Sequence, residues 1–160
     1  MDSAEFDDFY RATARRLVGY AYAMCGDMGT AQDFAQEAYV RAWRHWRRVR
    51  TYERAEAWLR LIVTRLATDR WRRMGVRQRA PLERIRHAPP PSEDSVLLTA
   101  ALRKVPPAQR RTLVLHYLMD MPIAEIAAET GMSVGTVKAH LSRGRVRLAE
   151  ALGAEAGHVR

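Results

Sequence analysis

The chain has 160 residues, 48% of them hydrophobic, with a formal charge of +9 and a single cysteine. That length builds one ordinary domain or two small ones, and the apolar content argues for folded protein rather than disorder. Cys25 alone excludes an internal disulfide framework and every multi-cysteine zinc pattern. No run approaches the roughly 20 apolar residues of a membrane span, and the acidic start MDSAEFDDFY resembles no secretory signal. A soluble cytoplasmic protein without membrane attachment is therefore expected.

The charge is unevenly spread. Residues 1–40 hold 3 basic and 7 acidic side chains, whereas residues 41–80 hold 13 arginines against 3 acids, a local +10. Such a block points to a polyanion, most simply nucleic acid. A solvated arginine-rich face is the alternative.

Glu5 to Cys25 reads as a first helix, with Phe6, Phe9, Tyr10, Leu17 and Tyr20 among its apolar positions. Gly26 and Gly29 punctuate a turn before a second helix from about Thr30 to Trp46, with a buried stripe of Ala35, Tyr39, Ala42, Trp43 and Trp46. Asp33, Gln36, Glu37 and Val40 share another face at spacing i, i+3, i+4, i+7. They either dock together on a partner or are simply solvated.

Arg47–Ala55 lacks periodicity and reads as a charged loop, followed by a third helix from Glu56 to about Met74. Trp58, Leu61, Ile62 and Leu66 are its expected core side. Arg60, Thr64, Thr68, Trp71 and Arg72 line another face, mixing cations, hydroxyls and an aromatic ring. That mixture suits single-stranded DNA, where charges follow phosphates and a ring stacks on an unpaired base. The alternatives are a Trp71 at least half buried, and an Arg65–Asp69 pair along the helix.

Gly75 to about Asp94 carries four prolines and scattered charge and reads as a linker, stiff and extended at its PPP run. From Ser95 a short helix runs until Pro106–Pro107 stop it, and Ala108–Leu118 forms another with Leu113, Leu115 and Leu118 apolar. Pro122–Leu148 then reads as two helices around a tight turn. Pro122 suits a first helical position, Gly131 a left-handed stop, and Ser133 an N-cap. Val134, Val137, Leu141, Gly144 and Leu148 share one side of the second helix. The other side presents Gly135, Thr136, Ala139, Ser142 and Arg143, flanked by Lys138 and His140.

This is the pattern of a helix-turn-helix whose small residues let it sit deep in a major groove. There Thr136, Ser142, Arg143 and Lys138 would reach phosphates or base edges. An amphipathic hairpin with a merely solvated polar face is the alternative. GAEAGHVR after Leu152 reads as a frayed tail.

Five histidines lack acidic or cysteine partners at metal spacing, so no metal and no other cofactor is expected. Cys25 reads as a small buried residue and His116 as a core or edge residue. Nothing pairs a nucleophile with a base, so the chain is not expected to be an enzyme.

Three stretches in fixed order carry a resemblance: DMGTAQDFAQEAYVRAW, AWLRLIVTRLATDRWRR, and the run from Val105 to Leu148. Over roughly Phe6 to Leu148 the chain resembles a bacterial RNA polymerase sigma factor of the extracytoplasmic-function (ECF, sigma-70 type) group. The resemblance implies an all-α protein of two small helical domains joined by the proline-rich linker. Region 2 would span 1–75, the linker 76–94, region 4 with its helix-turn-helix 95–152, and a tail 153–160.

By resemblance, Asp33, Gln36 and Glu37, with Val40 beside them, lie on the helix that docks onto the β′ clamp helices of core polymerase. Arg50, Tyr52 and Arg54, and the helix from Trp58 to Arg73, match the segments that recognise and open the −10 element. Ser133–Arg145 match the reader of the −35 element, in a unit that meets the β flap, while the linker threads core polymerase. Promoter DNA and core polymerase are thus the implied partners, and an anti-sigma factor a further one. Two features depart from the pattern: Arg65 stands where many relatives carry asparagine, and Arg77, Arg79, Arg84 and Arg86 make the linker unusually basic. A stand-alone helix-turn-helix regulator on duplex operators is the rival reading.

Overall fold

The first helix, α1 (Asp2–Cys25), ends where Gly26 takes φ 80° and turns the chain back. In the computed structural model, which describes residues 2–74 and 92–158, two units separate, Met1–Ala88 and Pro89–Arg160. Helices make up both, and no strand occurs among the described residues. None of those helices is long and apolar enough to cross a membrane. The proline-rich stretch, its stiffness and its four arginines fall within 75–91, outside the described residues.

In the first unit, Asp27 caps α2 (Met28–Arg44), its carboxylate accepting the Thr30 N–H at 3.0 Å. The cap is this aspartate, so the helix starts two residues before Thr30. It also ends sooner than expected, and a short helix α3 (Trp46–Val49) follows where a charged loop was expected. Trp46 and Val49 are buried and pull that turn onto the core, a tertiary effect that periodicity over nine residues does not show. Then α4 (Ala55–Met74) closes the unit, and α1, α2 and α4 all pack on one another.

Small side chains (Ala21, Ala31, Ala35, Ala38, Ala42) let α1 and α2 approach closely. The core side of α4 is Leu59, Ile62, Val63 and Ala67. Trp58, Leu61 and Leu66, expected there, are only half-buried. The helix carries apolar residues on more than one side, so its periodicity selects no single stripe.

Two buried tyrosines clasp the three long helices. Thr13 donates its hydroxyl to the Phe9 carbonyl of its own helix at 2.8 Å, so Tyr39 donates to Thr13 at 2.6 Å. Thr64 donates to the Arg60 carbonyl at 2.7 Å, so Tyr20 donates to Thr64, also at 2.6 Å. Around them Phe6 and Phe9 pack on Tyr39 and Trp46 with ring centroids 5.2–6.4 Å apart.

In the second unit, Ser92 caps α5 (Glu93–Leu102), with Glu93 and Asp94 favouring the positive end of the helix. That cap places the helix start two residues before Ser95. Buried Arg110 sends its guanidinium to the Arg103 and Val105 carbonyls at 3.0 and 2.9 Å, satisfying the chain beyond the C-terminus of α5. The expected helix Ala108–Leu118 is in two parts, α6 (Pro107–Leu113) and a π-helical turn, Val114–Leu118.

Pro122 sits just before α7 (Ile123–Thr130), in the N-cap position with ψ 156°, rather than as its first helical residue. Gly131 then takes φ 77°, the left-handed stop its place requires. Ser133 Oγ accepts the Thr136 N–H at 3.1 Å and opens α8 (Val134–His158). On α8, Val137, Leu141 and Gly144 are buried, Leu148 is half-buried and Val134 is 44% exposed. A methyl on Gly144 would stand 3.0 Å from Leu113 Cδ1, so the glycine makes room for that side chain of α6. The stretch after Leu152 continues the helix to His158, its alanines favouring helix and Ala151 seated in the core.

Burial pushes the Tyr39 phenol up from its ordinary 10.0 to about 12. The folded state therefore holds this proton more tightly than the unfolded chain, and the associated stability is complete below pH 10 and lost as pH rises towards 12. Tyr39→Phe is expected to cost about 1 kcal/mol at neutral pH and to flatten the alkaline loss of stability in that window, read by denaturant unfolding at stepped pH.

Candidate nucleic-acid interface

The helix-turn-helix presents most of its expected surface. Ser133, Gly135, Thr136, Lys138, Ser142 and Arg143 are exposed, whereas Ala139 and His140 are half-buried. Ser133 already has a task, since its hydroxyl caps α8 and donates to Thr136 Oγ1 at 2.9 Å. His140 keeps Nδ1 buried without a partner. Beside this surface Arg145 donates to the Tyr117 hydroxyl at 3.0 Å. Tyr117 was invisible to sequence reasoning because the π-helical turn that turns it outward, 55% exposed, has no periodic signature.

The strand-facing candidates on the first unit divide. Tyr52, Arg54, Trp71 and Arg72 are exposed, Tyr52 leaning on Trp58 with centroids 6.3 Å apart. Trp71, at 46% exposure, offers a ring face after all. Arg50 is exposed too, paired with Glu5 at 3.1 Å. Arg60 is mostly covered, 12% exposed and 3.5 Å from Glu56. Glu56 also takes Arg16, whose guanidinium it holds above the ordinary value by that hydrogen bond. Thr68 is half-buried. Thr64 is not on this face: it is buried and accepts from Tyr20, so its hydroxyl is unavailable to DNA. It lies on the same side as Leu59 and Val63, which the expected stripe of α4 had missed.

On α2, Asp33, Gln36 and Val40 are exposed and Glu37 is half-exposed, pairing with Arg41 at 2.9 Å. Of these, Gln36 and Val40 line a groove of about 640 Å³ between α1 and α2. Tyr10, an apolar position of α1, and Trp43, expected in the buried stripe of α2, instead stand on its walls at 47% and 50% exposure. The signal was present for Trp43, which continues the 33, 36, 37, 40 series by one step.

Among the described residues no group of three potential metal ligands gathers. His116 Nδ1 lies 2.9 Å from the Met121 carbonyl, an edge position that pins the π-helical turn. Cys25 is half-buried and its thiol donates to the Asp27 carbonyl at 3.4 Å.

Residues 9–76 match the family model for sigma-70 region 2, and residues 95–148 that for sigma-70 region 4. RNA polymerase sigma-E factor of Streptomyces coelicolor is 32% identical over 153 residues, covering 92% of this chain and 86% of that protein. ECF RNA polymerase sigma factor SigM of Mycobacterium tuberculosis is 31% identical over 155 residues, covering 95% and 79%. The chain belongs to the ECF group of sigma-70-type sigma factors. As a sigma factor it directs promoter-specific transcription initiation by RNA polymerase, and the reading as a stand-alone regulator gives way. The solved sigma factor RpoE of Bartonella quintana, in complex with the anti-sigma factor NepR, shares its fold. The TM-score is 0.72 at 23% identity, covering 93% of this chain and 97% of that one.

Thr64→Val is expected to lower unfolding stability by about 1–3 kcal/mol, because it removes the buried hydroxyl that accepts from Tyr20. Thr68→Ala, on the half-buried flank, should change it by less than about 0.5 kcal/mol. Paired thermal melts check the contrast.

Proposed function

We propose that this sigma factor divides promoter recognition between its two helical units. The observation that carries the proposal is the placement of cationic, aromatic and small side chains on two surfaces belonging to separate units. Region 2, over 1–75, meets the opened −10 strand through Arg50, Tyr52, Arg54, Trp71 and Arg72, with Arg60 and Thr68 at the margin. Charges follow the phosphates of an opened strand, and exposed rings take its unstacked bases.

Region 4, over 95–152, reads duplex −35 DNA with Thr136, Lys138, Ala139, Ser142 and Arg143. Ser133 and Gly135 shape the entry turn, and His140 supports the flank. Asp33, Gln36, Glu37 and Val40 dock on the β′ clamp helices of core polymerase, region 4 meets the β flap, and the linker over 76–94 passes between. Holding both units on one polymerase makes the second promoter contact intramolecular, so neither needs high affinity alone. The work is binding and strand opening rather than covalent catalysis, and its place is the cytoplasm with core polymerase. We count an anti-sigma factor among the partners, since RpoE was solved with one.

Run-off transcription with core polymerase on genomic fragments tests the proposal: defined start sites preceded by shared −35 and −10 sequences are expected. Tight duplex binding by the free chain, with no initiation, would restore the stand-alone regulator. Asp33→Ala with Glu37→Ala is expected to lower affinity for core polymerase at least tenfold while leaving the melting curve within about 2 °C; unchanged assembly would refute the docking face.

A further inference from the structure

At the end of α2 and along α3, six consecutive residues enclose a hollow of about 520 Å³: Trp43, Arg44, His45, Trp46, Arg47 and Arg48. No carboxylate lines it. Neighbouring arginines have acids: Arg16 and Arg60 share Glu56, Arg41 takes Glu37, and Arg50 takes Glu5. Arg44, Arg47 and Arg48 are exposed and have no carboxylate partner among the described residues. A helix C-terminus favours a cation or two, but three guanidinium groups round one hollow repel each other unless an anion sits among them.

Trp46, on the inner wall, is only 5% exposed and closes the hollow on the protein's side. Trp43, by contrast, shows half its surface at the wall of the same hollow.

We infer that this hollow is a further binding site for single-stranded nucleic acid, taking a backbone phosphate among Arg44, Arg47 and Arg48 with a base against Trp43. Cations that follow a backbone beside an exposed ring are what an unpaired strand requires. An acidic protein segment would use the charges but has no need of the ring. The chain also runs directly from Arg48 into Arg50, Tyr52 and Arg54, so the site extends the strand path beyond the −10 segment. It rests on the reading that the first unit carries the opened strand.

The test uses full-length protein assembled with core polymerase, and a fluorescent single-stranded DNA 15-mer of mixed sequence with its duplex as control. Arg47→Ala with Arg48→Ala is expected to weaken single-strand binding about tenfold. It should also reduce the slope of log affinity against log salt by about 1.4, two phosphate contacts at roughly 0.7 each. Core affinity, duplex binding and the melting curve should stay unchanged, and Arg47→Lys with Arg48→Lys should recover most of the loss. Weakened core binding with single-strand binding intact would make the hollow a protein contact and overturn the inference. So would equal losses on duplex, inorganic pyrophosphate displacing the strand difference at micromolar levels, or no change in any measurement. Promoter-directed initiation by the wild-type protein, measured separately, distinguishes failure of this site from failure of the wider reading.

Discussion

A tyrosine phenol buried among aliphatic side chains must find an acceptor, and in the first unit two of them find it on threonine. Each threonine has already given its own proton to a carbonyl four residues back, so it presents only lone pairs across the helix interface. The geometry is directional, and hydrophobic packing is not. Thr13 and Tyr20 stand two turns apart on α1, one holding α2 and the other α4. The first helix thus fixes the rotation of the other two. That rotation decides what α2 and α4 show to solvent: Asp33 to Val40 on one, Trp71 and Arg72 on the other.

Charge completes the arrangement by selective pairing. Three acids of the first unit, Glu5, Glu37 and Glu56, each meet an arginine, and Glu56 meets two. These exposed pairs contribute little to stability individually. Their larger consequence is electrostatic, for they decide where positive potential is cancelled and where it is left, along Arg44 to Arg48 and at Arg72. In the second unit the positive charge of Arg110 is turned inward instead, where the Arg103 and Val105 carbonyls satisfy it.

The features legible in sequence are those fixed by a few neighbouring residues. Gly131 adopts the left-handed conformation its position requires, and Ser133 caps the helix that follows, because both are local demands of a tight turn. The all-helical fold and the helix-turn-helix follow from such signals. The departures all involve tertiary choices. Trp46 and Val49 fold a polar stretch into α3 because the core has room for them. Thr64 looks like a surface hydroxyl until Tyr20 is known to lie opposite. The π-helical turn inserts an offset between Leu113 and Met119 that no 3.6-residue count anticipates, and with it the outward place of Tyr117.

The length of α8 carries a mechanical consequence. Its 25 residues make a rod about 37 Å long. One end follows the turn at Gly131, and the other seats Ala151 in the core. Between them Gly144 leaves room for the Leu113 and Gln109 side chains of α6 to pack against the rod. The same helix thus packs on α5, α6 and α7, so a shift at either end is carried along it to the other.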